Sequence, residues 1–231
     1  MNSVGAIFAK QSKDMFKNFG VLIMFIVFPV VGFALTRLIA ENSPYIEDTM
    51  FIMQMAAMFV GMALILSVAT IISEDRENKS LRFLIIAGVK PMTYLLGIGG
   101  VIFTFSIVTS GAFAAMSGFE VSGLINFMAV MLSGAIASIL LGAIIGIFSK
   151  NQQAASGLAM PVGMFLSMGA LAAGFNESVA RVFSIFYTHQ INVLFGDIMG
   201  SPLRPLVTIW INIAVLAIIF AIAFKKKGMR D

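Results

Sequence analysis

The sequence SEDRENKSLRFLIIAGVKP, residues 73–91, decides the organisation of the chain. It holds seven charged residues of a chain that has only 15 basic and 11 acidic side chains, and long apolar blocks lie on both sides of it. A cluster of both charge signs opens the stretch, an amphipathic run over residues 81–89 follows, and Pro91 ends it. We call residues 74–90 the charged island.

The composition indicates an integral membrane protein. Hydrophobic residues make up 59% of the chain and charged residues 11%, with a mean hydropathy of +0.99. Soluble domains carry about 25% charged residues, so a soluble fold of this length could not bury so much apolar surface. The chain has no cysteine and one histidine, which excludes disulfides and thiolate metal sites and predicts no metal centre.

Hydrophobic blocks predict an all-α fold in a single transmembrane domain, residues 1–231, with six transmembrane helices. The predicted spans cover residues 19–39, 50–73, 91–117, 122–148, 153–175 and 205–224. Residues 1–18 have the spacing of an amphipathic interfacial helix. Residues 176–203 contain apolar runs too short to cross, which fits an external re-entrant helical segment.

Basic residues predict the orientation. Twelve of the 15 lysines and arginines fall on one side of this topology, and Arg37, Arg181 and Arg204 fall on the other. By the positive-inside rule, both termini and the charged island are cytoplasmic. Because the basic residues adjoin apolar spans and form no single patch, the net charge of +4 reflects contact with the bilayer and not with nucleic acid.

Two interpretations of the island are open from its residues. The amphipathic run can be a loop helix that rests on the membrane. It can also be a docking helix, because a lipid anchor would be mostly basic and a protruding apolar face suits a groove on a partner protein.

The island resembles a motif of the membrane subunits of type-2 ABC exporters, roughly E-R-E-x-G/K-[ST]-L-x-x-L-L followed by a turn and a basic residue. The matching stretch runs over residues 74–84, and the turn and basic residue are at 87–91. The interfacial first helix, the six spans and the re-entrant segment also fit that family. Two positions depart from it: Lys79 stands where many members have glycine, and Arg82 replaces a common acidic residue.

The resemblance implies that the island is a coupling helix, which rests in a groove of a separate ATP-binding subunit. The implied coupling residues are Glu74, Arg76, Glu77, Lys79, Leu81, Arg82, Phe83, Leu84 and Gly88. Two ATP-binding subunits and a second membrane subunit, identical or different, are implied as partners. The chain contains no G-x-x-x-x-G-K-[ST] loop, so ATP and Mg²⁺ are expected in the partner, and this chain is expected to hold no cofactor and to be no enzyme.

Polar and soft side chains within the spans give two further predictions. Span four has a small residue at every fourth position, which favours close packing with another helix. We expect that helix to belong to the same chain and not to a second copy. The small residues are Gly134, Ser138, Gly142 and Gly146. Candidates for a substrate path in spans two and five are Gln54, Met58, Met62, Ser67, Thr70, Met160, Met164 and Ser167.

Export of hydrophobic or amphipathic cargo, such as an antimicrobial peptide, a drug or a lipid-like molecule, is the favoured function, in the plasma (inner) membrane of a bacterium. No acidic residue lies mid-membrane, which argues against a proton- or sodium-coupled carrier. A non-transport scaffold or sensor module is the alternative. An intramembrane enzyme would need a constellation of His, Asp, Glu or Cys that the spans lack.

Overall fold

The computed structural model describes residues 3–200 and 202–227, and within these ranges all regular secondary structure is helical. The helices are α1 (Ser3–Lys17), α2 (Phe19–Leu35), α3 (Met50–Met58), α4 (Leu64–Glu77), α5 (Ser80–Ile86), α6 (Pro91–Met116), α7 (Val121–Phe148), α8 (Gln152–Ala173), α9 (Glu177–Phe183), α10 (Tyr187–Gly196) and α11 (Leu203–Lys227). A π-helical turn over Thr36–Ala40 extends α2, and another over Phe59–Ala63 joins α3 to α4.

Within the described residues, six helical segments are long and apolar enough to cross a membrane, which confirms the predicted all-α membrane fold. In order, spans one to six are Phe19–Ala40, Met50–Glu77, Pro91–Met116, Val121–Phe148, Gln152–Ala173 and Leu203–Lys226. Three parts of the predicted segments lie outside the described residues: residues 1 and 2 of the interfacial helix, Ser201 of the re-entrant segment and the C-terminal residues 228–231.

Span two is the core of the bundle. In its most apolar window 78% of the residues are buried, against 17% in span six. It packs against spans four and five along most of its length, while the exposed apolar side chains of spans one and six face outward, as lipid contact requires. Movement of span two would therefore be transmitted to its neighbours.

The small-residue stripe of span four packs against span two within the same chain. A Cβ atom at Gly142 would lie 2.6 Å from the carbonyl oxygen of Ile65, and one at Gly146 would lie 2.8 Å from that of Ala69. Because glycine has no side chain, the backbones of spans two and four can approach closely. Such close packing drives helix association in a bilayer, where lipid removes the hydrophobic driving force between helices.

We expect Gly142→Val to lower the free energy of unfolding of the chain in detergent by about 1–3 kcal/mol, the usual cost of overpacking, and so to lower its melting temperature. The added side chain would press on the backbone of span two, which cannot move aside cheaply. Gly157→Val in span five is the matched control, because no described atom other than its chain neighbours and its own helix backbone lies within 4 Å of its Cβ position. Equal melting temperatures of the two variants would contradict this packing.

The π-helical turn in span two is stabilised by polar side chains from other helices. Ser138 Oγ of span four donates to the carbonyl oxygen of Val60 at 2.6 Å and lies 2.8 Å from the hydroxyl of Tyr187 in α10. A π turn leaves backbone groups without their ordinary partners, and the hydroxyl of Ser138 satisfies one of them. Span two is thus irregular at one point, where span four and α10 both contact it.

The described residues 176–200 form two short helices and their connections. Asn176 caps the start of α9 by accepting from the backbone amides of Ser178 and Val179, and the buried Tyr187 and Ile191 anchor α10 in the bundle. Neither helix is long enough to cross a bilayer. This segment lies at the end of the bundle opposite the charged island, where the amide of Asn126 at the start of span four donates to the carbonyl of Ile198.

Candidate coupling site

The island is a helix, a tight turn and a second short helix. Helix α4 does not end at Ser73 but continues to Glu77. Lys79 then takes a positive φ of 59°, Gly88 ends the turn after α5 with a φ of 81°, and Pro91 starts span three in its first helical position. The left-handed conformation costs a non-glycine residue about 1–2 kcal/mol, which explains why glycine suits position 79 in the motif that the island resembles.

Helix α5 has an inner and an outer face. Leu81 is 2% exposed and Leu84 is half-buried against the core. Phe83 and Ile86 are 70% and 73% exposed, and Arg82 is also exposed. The inner face holds the helix on the bundle, so the outer face presents two large apolar side chains beside a cation.

Arg76 binds the end of span four. Its guanidinium donates to the carbonyl oxygens of Ile147 and Ser149, which belong to the last turn of that helix and the residues after it. These carbonyls lack partners within the helix, and a cation is favourable at the negative end of the helix dipole. The island is thereby joined to span four.

Glu74 and Glu77 bind the start of span five. Both contact Gln152: Glu74 accepts from its side-chain amide at 2.7 Å, and Glu77 accepts from its backbone N–H at 3.2 Å. A carboxylate at a helix N-terminus satisfies a free N–H and is favoured by the dipole. Together with Arg76, these glutamates hold the turn between spans four and five.

Asp75 is the charged residue of the island that is most buried, and it was not among the predicted coupling residues. Its carboxylate accepts a hydrogen bond from the hydroxyl of buried Tyr94 at 2.9 Å and pairs with Lys10 of α1 at 3.2 Å. Helical periodicity could have found it, because Asp75 follows Ile71 and Ile72 on the buried face of α4. Asp75 therefore joins α4, span three and α1.

Helix α1 packs along the first half of span three. A Cβ atom at Gly97 would overlap the side chain of Ile7, and the rings of Phe16 and Phe105 meet edge-to-face with centroids 5.6 Å apart. The missing side chain of Gly97 thus allows the close approach. This contact and the Lys10–Asp75 pair fix α1 beside the island.

The predicted coupling residues fall into two groups. Glu74, Arg76 and Glu77 bond within the chain, and Leu81 and Leu84 face the bundle. The exposed members that make none of these bonds are Lys79, Arg82, Phe83 and Gly88. Docking to a partner stays a prediction for all of them, and the exposed group together with Ile86 is the surface available for it. We call Lys79, Arg82, Phe83 and Ile86 the docking face.

The structure does not gather the predicted substrate-path residues in one cavity. Ser67 and Thr70 line a cavity of about 200 Å³ between spans one, two and five at the island end, together with Ser156. Their hydroxyls donate to carbonyls of their own helix. Gln54 lines another cavity, of about 350 Å³, at the opposite end between span two, span five and α10.

The remaining path candidates differ in exposure. Met160 and Met164 are exposed on the outer face of span five, while Met58 and Met62 are half-buried. Ser167 is buried against Gly61, where a Cβ atom would lie 2.5 Å from its hydroxyl oxygen. Within residues 3–200 and 202–227, the hydroxyl of Ser167 and the amide nitrogen of Gln54 have no hydrogen-bond partner.

Among the residues that the structure describes, no group of three or more His, Cys, Asp or Glu side chains could hold a metal ion. The chemistry of the island is instead that of helix ends, ion pairs and an apolar face. These interactions can transmit a contact between helices.

Comparison with known proteins agrees with this arrangement. Residues 41–224 match the family model described as ABC-2 family transporter protein. The match includes the island, spans two to five and nearly all of span six, and begins after span one. No curated protein matches the sequence. Because the family model covers most of the chain, this protein belongs to the ABC-2 family of transporter proteins, as a permease (membrane) subunit.

Proposed function

We propose that this chain is the permease half of an exporter that a separate ATP-binding subunit drives through the island. The observation that carries this proposal is the docking face. Phe83 and Ile86 project from a helix whose inner face is held on the bundle. An apolar side chain exposed beside cations at a helix surface is typical of a protein contact.

The bonds of the island support a path for force. A push on α5 reaches span two directly, because the two helices adjoin. It also reaches the turn between spans four and five through Arg76 and Glu77, and α1 with span three through Asp75. Rigid helices joined by hydrogen bonds and an ion pair can move as a unit. A loop helix that only rests on lipid would not require these bonds to four other parts of the chain.

The distribution of charge supports a cytoplasmic island. Lys10, Lys13, Lys17, Lys90 and Lys150 are exposed around the island, and the positive-inside rule assigns such a surface to the cytoplasm. An ATP-binding subunit, which would hold ATP and Mg²⁺, then meets the docking face. Two such subunits and a second membrane subunit complete the proposed transporter in a bacterial plasma membrane.

Apolar surfaces of spans one, two and five support hydrophobic or amphipathic cargo. Met160, Met164 and Met168 are exposed along span five, and methionine side chains adapt to varied apolar partners. The cavity with Ser67 and Thr70 offers hydroxyls but no charged side chain. Cargo of high charge would find no compensating partner there.

Co-reconstitution with the ATP-binding subunit tests the proposal. We expect the pair to co-purify in mild detergent, and its ATP hydrolysis in liposomes to rise when hydrophobic peptides or drugs are added. Small charged solutes such as amino acids are the control and should leave hydrolysis unchanged. A chain that binds no ATP-binding subunit under these conditions would favour the scaffold or sensor alternative.

A further inference from the structure

Two cavities lie end to end along span six, on the side that meets α9 and α10. The first has a volume of about 690 Å³ and lies between these short helices and the start of α11. The second, of about 430 Å³, lies farther along α11 beside spans four and five. Asn212 lines both cavities, so they adjoin, and we call the pair the groove.

One face of span six forms the floor of the groove. Arg204, Thr208 and Asn212 line the first cavity, and Asn212 and Leu216 line the second. These residues are four positions apart, which places them on the same helix face. At 1.5 Å per residue, Arg204 and Leu216 are separated by about 18 Å along the helix axis, comparable with one leaflet of a bilayer whose hydrocarbon core is about 30 Å thick.

The end of the groove farthest from the island is cationic. Arg181 and Arg204 both line the first cavity, and in the part of the chain that the structure describes neither forms a salt bridge. Arg37, the other basic residue predicted on this side, pairs with Glu41 at 2.6 Å. Guanidinium groups without a carboxylate partner suit a bidentate phosphate.

His189 also lines the first cavity but adds no charge near neutral pH. Burial lowers its pKa, and a hydrogen bond with the carbonyl of Ala170 opposes this more weakly. The positive charge of this end therefore comes from the two arginines, which stay protonated at any physiological pH.

The other end of the groove is apolar. Leu141, Phe165, Phe186 and Leu216 line the second cavity. The amide of Asn212 is already used, because it donates to the carbonyls of Ile185 and Thr208. A ligand that fills both cavities needs an anionic head and a hydrocarbon tail, in that order along span six.

We propose that this groove binds one anionic phospholipid of the leaflet opposite the island, with its phosphate between Arg181 and Arg204 and an acyl chain running toward Leu216. Charge complementarity selects the head, and the apolar second cavity selects the tail. A zwitterionic lipid carries a cationic group next to its phosphate, which the two arginines would repel. The site does not depend on the docking face and stands whether or not the chain exports cargo.

Native mass spectrometry of the full chain in detergent tests this site, with dioleoyl phosphatidylglycerol and dioleoyl phosphatidylcholine as matched probes. We expect one phosphatidylglycerol to bind at least tenfold more tightly than phosphatidylcholine. In the double variant Arg181→Gln and Arg204→Gln this preference should disappear. Arg37→Gln is the control and should keep it, because Arg37 is paired elsewhere.

A second variant tests the tail. Leu216→Trp should fill the apolar cavity and weaken phosphatidylglycerol binding, while a melting temperature equal to wild type shows that the fold is kept. Equal affinity for the two lipids, or an unchanged preference in the double arginine variant, would overturn the proposal. Competition by glycerol 3-phosphate as strong as by phosphatidylglycerol would also overturn it, because the tail would then contribute nothing.

Discussion

Phe83→Asp should abolish cargo export while the chain still inserts and folds. Phe83 is 70% exposed, so its loss removes little packing within this chain. At a protein interface, a central aromatic residue commonly contributes about 2 kcal/mol or more, which is roughly 30-fold in affinity. Burying an unpaired carboxylate in the partner's groove adds to that cost. Transport assays in liposomes, with ATP hydrolysis measured in parallel, check this expectation.

Tyr45→Asp is the matched control for Phe83→Asp. Tyr45 is also an exposed aromatic residue, and it lies in the loop between spans one and two at the opposite end of the bundle. Export should stay at the wild-type level in this variant. If Phe83→Asp exported as well as the control, α5 would not be the docking helix.

Asp75→Ala should destabilise the island end more than loss of any exposed charge. The substitution leaves the hydroxyl of buried Tyr94 without its acceptor, at a cost of about 1–3 kcal/mol. It also removes the closer of the two ion pairs of Lys10, which is 3.2 Å long against 3.8 Å for the pair with Asp14. We expect a lower melting temperature and faster protease cleavage near α1, because α1 loses its ion pair with span two.

Asp14→Ala is the control, because it removes the other acidic partner of Lys10 and leaves the bond between Asp75 and Tyr94 in place. Asp14 also lies near Lys10, at 3.8 Å, but its side chain is 46% exposed, and exposed ion pairs contribute little. Its loss should leave both melting temperature and cleavage near wild type. Tyr94→Phe should be milder than Asp75→Ala, since Asp75 keeps Lys10 as a partner. Similar stability of the Asp75 and Asp14 variants would contradict the junction.

The spans were predictable because the thickness of the bilayer sets the length of apolar sequence that a crossing helix needs. A helix that crosses the bilayer needs about 20 apolar residues. Long apolar runs such as the one before Glu74 therefore predict the spans, and charged residues predict the connections between them. The bonding of the island was less accessible. Glu77 and Arg76 contact residues more than 70 positions away, and sequence spacing holds no information on such pairs.

Periodicity held more information about the site than the motif alone. Spacing along α5 separates Phe83 and Ile86 from Leu81 and Leu84, although a motif lists them together. Gln54 and Ser67 are 13 positions apart, or about 20 Å along span two, so they could not line one small cavity. The π-helical turn between them was not predicted, and one of its carbonyls accepts a hydrogen bond from Ser138 of span four, 78 positions away.

Site-directed cross-linking tests the docking face most directly. The chain contains no cysteine, so a single cysteine at position 83 carries a photoreactive maleimide label without background from this subunit. We predict that illumination links Phe83→Cys to the ATP-binding subunit, whereas Tyr45→Cys with the same label gives no such product. A label at position 83 that reacts only with lipid, in a complex that still hydrolyses ATP, would contradict the assignment of α5 as the coupling helix.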